Sequence, residues 1–101
     1  MATGFLQLSW KRSFDAQVWA FWKPNDLDAN LRWTMVNDLQ THYLKPGMTR
    51  DAVRELLGRE WSGERSPCLS YPVGNDGEDS VTLIIDFDKK GRLLHSDLYF
   101  N

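Results

Sequence analysis

The sequence predicts an α+β fold: a two-layer sandwich in which a helical hairpin packs on a three-stranded antiparallel sheet, in the order α-α-β-β-β, preceded by an aromatic-rich N-terminal arm. Three observations support this. Apolar residues repeat at helical spacing between residues 25 and 58, and alternate with a period of two from residue 68 onward. A turn sequence, Asp88 to Gly91, separates the last two apolar runs. Helices followed by strands in one short chain are typical of two-layer α+β domains.

Composition limits the function classes. The chain has 101 residues, of which 42% are hydrophobic and 26% charged, as in an ordinary folded domain with one modest core. A net charge of −2 provides no basic footprint for nucleic acid. A single cysteine, Cys68, excludes an internal disulfide and a cysteine-based structural zinc site. No apolar run approaches the roughly 20 residues of a membrane span.

The sequence divides into an aromatic arm, residues 1–24, and an α+β domain, residues 25–101. Residues 13–24 form either a short helical turn, which Ser13 can cap, or an irregular apolar segment; on a helix Trp19 and Trp22 would share a side. The two rings either form an exposed clamp or membrane-surface patch, or pack over the core. The second interpretation is favoured because aromatic side chains bury a large area each.

The first helix of the domain is predicted within residues 25–44, capped by Asp26 or Asp28. One face carries an apolar stripe: Leu31, Met35, Val36, Leu39 and Tyr43. The residues expected to face water are Arg32, Asn37, Asp38 and Gln40.

The stretch from Leu44 to Gly58, LKPGMTRDAVRELLG, contains a complete turn, cap, helix and stop. Pro46-Gly47 suits a type II turn, and Thr49 suits a helix N-cap. Met48 and Val53 have the spacing of a hydrophobic staple, and Gly58 occupies the position of a C-terminal cap. With Leu56 and Leu57 completing the apolar face, these residues form a structural motif rather than a chemical one.

Strands are predicted at residues 68–73, 80–87 and 92–100. Pro72 cannot donate a ladder hydrogen bond, which indicates either an edge position for the first strand or the end of that strand. The helix hairpin is expected to cover Val81, Leu83, Ile85, Phe87, Leu94, Leu98 and Phe100. The opposite face is expected to carry Thr82, Ile84, Asp86, Leu93, His95, Asp97 and Tyr99.

Leu44 to Gly58, in the pattern apolar-x-Pro-Gly-Met-Thr-Arg-acid-x-Val-x-x-Leu-Leu-Gly, resembles the SmpA/OmlA (BamE-like) small outer-membrane lipoproteins. Related α-α-β-β-β domains include the repeats of the β-lactamase inhibitor proteins. Two further segments are similar to this group: Arg32-x-x-Met35-Val36-x-Asp38-Leu39, and Leu83-Ile84-Ile85-Asp86-Phe87-Asp88-x-x-Gly91.

The resemblance implies an exported domain of the bacterial cell envelope, in the periplasm or at the outer membrane. Such proteins are usually tethered through a lipidated cysteine after a signal sequence. The start of this chain carries neither, so we expect that it begins after them or is untethered. A cytoplasmic location is the alternative. No catalytic residues come with the family.

Two side-chain groups have the composition of a chemical site. His95-Ser96-Asp97 contains the residue types of a hydrolase triad, but neighbours on a strand point to opposite faces, so Ser96 faces away from His95. The acidic loop of residues 75–79 lacks the spacing of a calcium loop, and Cys68 with the two histidines lacks the spacing of a zinc site. We therefore expect neither an enzyme nor a cofactor or metal.

The favoured hypothesis is a non-enzymatic envelope scaffold or protein-binding domain that binds a partner through the uncovered sheet face. The candidate residues are Ile84, Leu93, His95 and Tyr99, with Trp61 and Tyr71 as rim aromatics. One alternative is an inhibitor or immunity-type binder on the same scaffold. The other is a domain that contacts a lipid or small molecule through Trp19 and Trp22, at a membrane surface reached by the arm or by a lost lipid anchor.

Overall fold

Helices and strands follow one another in the predicted order. The computed structural model describes residues 12–23, 30–59, 67–77 and 79–100. The helices are α1 (Ala16–Phe21), α2 (Leu31–Asp38), which continues into a π-helical turn (Leu39–Tyr43), and α3 (Arg50–Leu57). The strands are β1 (Cys68–Asp76), β2 (Asp79–Phe87) and β3 (Leu93–Phe100), antiparallel in the order β1-β2-β3. The predicted α+β fold class is confirmed.

Helix α1 belongs to the predicted arm, yet it joins the core. Asp15 caps it, accepting hydrogen bonds from the N–H groups of Gln17 and Val18 at 3.0 and 3.2 Å, so the prediction of Ser13 as cap is wrong. Phe14 and Trp19 are buried in the same apolar cluster as the later helices and the sheet. Residues 12–23 therefore share the core of the domain. The rest of the predicted arm, residues 1–11 and Pro24, lies outside the described residues.

Helix α2 begins without a side-chain cap. The predicted caps, Asp26 and Asp28, lie outside the described residues, and the N-cap residue Asn30 makes no capping bond. Its side-chain oxygen instead accepts the N–H of Asn75 on β1 at 2.8 Å. The centre of the predicted apolar stripe is buried, but so is Arg32, which was expected to face water. That prediction is wrong, because tryptophan rings and carbonyl oxygens surround the guanidinium group.

The stretch from Leu44 to Gly58 folds as predicted. Gly47 has φ of +93°, which a type II turn requires of its third residue, and the Thr49 side chain accepts the N–H of Ala52 at 3.1 Å. Val53 and Leu57 are buried in the core, and Leu56 and Met48 pack against it. Gly58 ends α3 at φ +83°, a conformation strained for any other residue.

The same turn attaches to the sheet. The Gly47 N–H donates to the Leu93 carbonyl at 2.9 Å, and the Leu93 N–H donates to the Met48 carbonyl at 2.7 Å. The motif therefore holds the start of β3 as well as the start of α3.

One face of the sheet lies against the helices. Along β2 every second residue is fully buried: Val81, Leu83 and Ile85. On β1, Leu69 and Tyr71 pair with Ile85 and Leu83 and are equally buried. The predicted alternation of β2 is confirmed. β1 is longer than predicted, because it continues through the expected loop to Asp76.

Two bulges interrupt the strand register, and the one on β3 changes the predicted faces. On β1 the register shifts between Pro72 and Gly74, and the residue between them, Val73, is buried. On β3 the partners of Asp86 and Phe87 are His95 and Leu93, which leaves Leu94 as the extra residue. Leu93 is therefore buried, at 4% exposure, and Leu94 is 52% exposed, so their predicted faces were reversed. A sequence pattern with a strict period of two does not show where a bulge inserts an extra residue.

No helix within the described ranges is long and apolar enough to cross a membrane.

Candidate protein-binding face

The sheet face turned away from the helices is formed by three cross-strand rows, which we call the open face. The register aligns Cys68, Asp86 and His95 in the first row, Ser70, Ile84 and Asp97 in the second, and Pro72, Thr82 and Tyr99 in the third. Residues from β1 and β2 are half-buried, as expected for side chains flanked by strand neighbours on a face that no other described element covers, and those from β3 are exposed.

The first row contains an ion pair when His95 is protonated. His95 Nε2 lies 3.0 Å from Asp86 Oδ2, and the two side chains are 62% and 42% exposed. A pair so exposed contributes at most about 1 kcal/mol to folding. It does, however, hold two polar groups in a defined position where a bound partner can reach them.

The second row sets an apolar centre beside an acid. Ile84 lies on the central strand, between Ser70 on β1 and the exposed Asp97 on β3. The three rows together hold two carboxylates and no lysine or arginine. A complementary partner would therefore present cationic or hydrogen-bond-donating groups around an apolar contact.

The third row ends in an exposed aromatic ring. Tyr99 is 58% exposed on the edge strand, next to Thr82 and in line with Pro72. Tyrosine combines a large rigid ring with a hydrogen-bonding hydroxyl, and is enriched at protein interfaces for that reason.

Three of the predicted site residues, Ile84, His95 and Tyr99, lie on the open face, and two do not. Leu93 is turned into the core by the β3 bulge. Tyr71 is fully buried, and its hydroxyl donates to the Gly58 carbonyl at 2.8 Å. Trp61 lies outside the described residues.

The burial of Tyr71 had a signal in the sequence. Leu69, Tyr71 and Val73 alternate along β1 and are all buried, so the period of two already placed Tyr71 with the apolar side. Pairing with β2 then puts Cys68 and Ser70 on the open face, which the sequence analysis did not identify.

Two tryptophans of the predicted arm, Trp19 and Trp22, form a cage around a buried cation. The guanidinium carbon of Arg32 lies 4.5 Å from the ring centroid of Trp19 and 4.7 Å from that of Trp22. Arg32 Nε donates to the Trp19 carbonyl at 2.9 Å, and Nη1 donates to the Pro72 carbonyl at 3.0 Å. Trp19 is 0% exposed and Trp22 is 9% exposed. The interpretation of an exposed aromatic clamp is therefore wrong, and the packed interpretation is confirmed.

Arg32 is thus buried because carbonyl oxygens and ring faces replace its water. Burial lowers the pKa of Arg32 from its ordinary range to about 10, while the neighbouring Tyr71 opposes the shift. The side chain remains protonated at neutral pH. It joins α1, α2 and β1, since its two acceptors are Trp19 and Pro72. The Trp19 indole N–H is buried without an acceptor in the described part of the chain.

The residue types of a hydrolase triad are separated by the sheet. Ser96 pairs with the buried Ile85 on the helix side, where Gln40 Nε2 donates to its carbonyl and hydroxyl oxygens, both at 3.1 Å. His95 and Asp97 are on the open face, so Ser96 points away from them as predicted. Within residues 12–23, 30–59, 67–77 and 79–100, no three histidine, cysteine or acidic residues are grouped to hold a metal ion.

A second apolar surface lies on α1. Phe21 is 79% exposed and Val18 is 36% exposed, and both line an open groove of about 380 Å³ with Gln17, Trp22 and Leu31. It is separate from the open face, because α1 packs on the helix side of the sheet.

No protein-family model matches the chain, and neither the curated proteins nor the solved structures contain a match.

Proposed function

We propose that this chain is a non-enzymatic protein-binding domain whose partner binds on the open face of the sheet. The observation that carries the proposal is the combination on this face of a half-buried Ile84, an exposed Tyr99 and the Asp86–His95 pair. A small apolar centre with an aromatic and a polar rim is the usual composition of a non-obligate interface.

The position of this surface on regular strands supports the proposal. Ile84 and Tyr99 are held by the ladders on both sides of β2, so a partner meets side chains that are ordered before binding. Binding to an ordered surface avoids part of the entropy loss that weakens binding to flexible segments.

We further propose that the partner belongs to the bacterial cell envelope. This part of the proposal rests on the resemblance of Leu44 to Gly58 to the SmpA/OmlA lipoproteins, whose members act as small scaffold domains there. The motif itself has a structural role here, since its turn and caps hold α3 and β3. It therefore supports the class of domain and says nothing of the particular partner.

The test is site-specific photocrosslinking in the native organism. A photoreactive phenylalanine analogue at Ser70 is expected to crosslink one discrete partner, because Ser70 lies directly beside Ile84 on the open face. The matched control is the same analogue at Phe21, which is more exposed than Ser70 but lies on α1. Equal crosslinking from Phe21 would contradict the proposal.

The substitution Ile84→Asp is the second part of this test. It adds a third carboxylate to the centre of the open face and should abolish the crosslink while thermal unfolding remains cooperative. Phe21→Asp should leave the crosslink unchanged. Fractionation of the cells reports the compartment of the same product. If the partner proves to be a single soluble enzyme that loses activity in the complex, the inhibitor-type alternative is favoured over the scaffold.

A further inference from the structure

The two edges of the sheet differ in how they are protected. β1 forms one edge and β3 the other. β1 carries Pro72, which has no N–H to offer a further strand, and a bulge between Pro72 and Gly74. Prolines, charged side chains and bulges are the features by which proteins block a sheet edge. The β1 edge is therefore closed to another strand by its own sequence.

β3 lacks most of these features. Its sequence, LLHSDLYF, contains no proline, lysine or arginine, and its bulge lies at Leu94, near its start. The Gly47–Met48 turn covers the outer edge beside Leu93 through two backbone hydrogen bonds. From Leu94 to Phe100, no further strand lies beside β3 in the part of the chain that the structure describes.

This uncovered stretch is also apolar. Six large apolar side chains are exposed among the described residues, and β3 carries three of them: Leu94 at 52%, Tyr99 at 58% and Phe100 at 49%. A long edge strand with exposed apolar side chains favours pairing with another strand. The Ser96 carbonyl of β3 already accepts Gln40 Nε2 at 3.1 Å, and a carbonyl oxygen has a second lone pair for a further donor.

The residues of β3 are suited to pairing with β3 of a second copy of this chain. In a symmetric antiparallel pair, residues face each other about a central residue on the two-fold axis. An axis at Ser96 would bring Tyr99 of the second copy against Leu93, where the Gly47–Met48 turn already lies. An axis at Asp97 would set two carboxylates directly opposite each other, which is destabilising.

An axis at Leu98 avoids both conflicts. We propose that this chain forms a symmetric dimer by antiparallel pairing of β3 with β3 of a second copy about Leu98. Asp97 then faces Tyr99 of the other copy, so that each carboxylate meets a neutral phenol donor, and Ser96 faces Phe100. Leu98, half-buried in the monomer, faces its own counterpart.

The dimer does not depend on the partner proposed above. Because the axis is perpendicular to the sheet, both open faces lie on the same side and join into one surface of twice the width. Ile84 lies on the central strand and does not border the β3 edge. Ile84→Asp is therefore expected to leave the dimer intact, which separates the two proposals experimentally.

Sedimentation equilibrium of the whole chain, from micromolar to near-millimolar concentration, tests the dimer. The wild type is expected to show a concentration-dependent monomer–dimer equilibrium. Tyr99→Lys places a cation opposite Asp97 at two symmetric sites and should tighten dimerisation by about 2- to 30-fold. Adding Asp97→Lys sets lysines opposite each other and should yield a monomer.

Two controls keep this test specific. Ser70→Lys places the same charge on the open face at the β1 edge, and is expected to leave the equilibrium unchanged. Circular dichroism of each variant checks that the lysines have not unfolded the chain. A wild type that stays monomeric throughout, or a dimer that withstands the Asp97→Lys, Tyr99→Lys double substitution, would overturn the proposal.

The register has its own test. In a Cys68→Ser background, Leu98→Cys brings two thiols together on the two-fold axis, and oxidised glutathione should link them. Tyr99→Cys is the matched control, since its two copies are offset diagonally and their Cα atoms exceed the roughly 7 Å that a disulfide can span. Linkage through position 99 and not through position 98 would refute the pairing about Leu98.

Discussion

The covered and open faces of the sheet are built from alternate residues of the same strands, and they differ in what holds each side chain. On β2 the covered residues are 0% exposed: Val81, Leu83 and Ile85. The residues between them are half-buried: Thr82, Ile84 and Asp86. On the first face the shape of each side chain is fixed by its neighbours, because interiors are close-packed. On the second face, within the described part of the chain, it is limited by strand neighbours, so packing constrains the residue types there less strongly.

The charged groups follow the same division. Arg32, on the covered side, is enclosed by two tryptophan rings and two carbonyl oxygens. His95 and Asp86, on the open face, meet at 3.0 Å but remain largely in solvent. The first arrangement supports the fold, because hydrogen-bond donors of the buried guanidinium are satisfied by the two carbonyl oxygens. A buried cation without such acceptors would destabilise the folded chain. The second contributes little stability and remains available for recognition.

The largest expected effect follows from removing the ring on which the covered side is built. Trp19→Ala should lower the free energy of unfolding by about 3–5 kcal/mol, because Trp19 is fully buried and its loss leaves a cavity beside Arg32. Tyr99→Ala, on the open face, should change it by no more than about 0.5 kcal/mol. Urea denaturation of both variants measures the two losses in the free energy of unfolding. Equal losses would contradict the conclusion that the covered side contributes more to stability than the open face does.

Trp19→Phe sharpens the same comparison. It retains a ring and removes the buried indole N–H that lacks an acceptor in the described part of the chain. The loss should therefore be well below that of Trp19→Ala.

The next effect tests the cage itself. Arg32→Lys keeps the charge but loses the planar group that bonds two carbonyls while stacking between two rings. We expect a loss of about 2–3 kcal/mol, since hydrogen bonds from a charged group contribute about 1.5–3 kcal/mol each and lysine can replace one of them. Differential scanning calorimetry measures it. A lysine variant as stable as the wild type would show that charge alone is sufficient at this position.

The fold was largely predictable because its determinants are local. The turn at Gly47, the cap at Thr49 and the stop at Gly58 each rest on a residue type that the local backbone requires, and the structure places them as expected. The alternation of β2 was equally clear, because one face of that strand is buried without interruption.

The wrong predictions concern side chains whose burial is decided by tertiary contacts. An arginine on a helix is expected in water, and only the spatial approach of Trp19, Trp22 and Pro72 makes its burial favourable. The bulge at Leu94 reversed the faces of Leu93 and Leu94, because two backbone hydrogen bonds to the Gly47–Met48 turn hold Leu93 inward. Neither contact has a signature within a short window of sequence.

A smaller effect separates the two tyrosines that were both predicted for the binding face. Tyr71→Phe removes a buried hydroxyl that donates to the Gly58 carbonyl at 2.8 Å, and should lower the free energy of unfolding by about 1 kcal/mol. Tyr99→Phe removes an exposed hydroxyl and should have no measurable effect on the monomer. Urea denaturation at low protein concentration distinguishes them. A larger loss for Tyr99→Phe would contradict the assignment of Tyr71 to the covered face.

The smallest effect concerns pH and the attachment of α1 to α2. Asp38 Oδ2 accepts the Phe14 N–H at 2.7 Å, and Oδ1 lies 2.7 Å from His42 Nδ1. The backbone hydrogen bond from Phe14, and then the bond with His42, hold the pKa of Asp38 below its ordinary value of 3.8. The folded chain therefore binds fewer protons at this carboxyl than the unfolded chain does. The resulting stability is present above pH 3.8 and is lost as the pH falls through the folded-state value.

Asp38→Asn should accordingly lower the melting temperature at neutral pH, and the difference from wild type should shrink as the pH falls below 3.8. The amide oxygen of the substituted side chain can still accept the Phe14 N–H, so we expect a modest decrease. Thermal unfolding from neutral to strongly acidic pH measures it, with Asp51→Asn as a control for an exposed carboxylate of a helix first turn. If the difference stayed constant with pH, the Asp38 carboxylate would not be what joins the described arm to the domain. The attachment of α1 would then rest on the packing of Phe14 and Trp19 in the core and on Arg32.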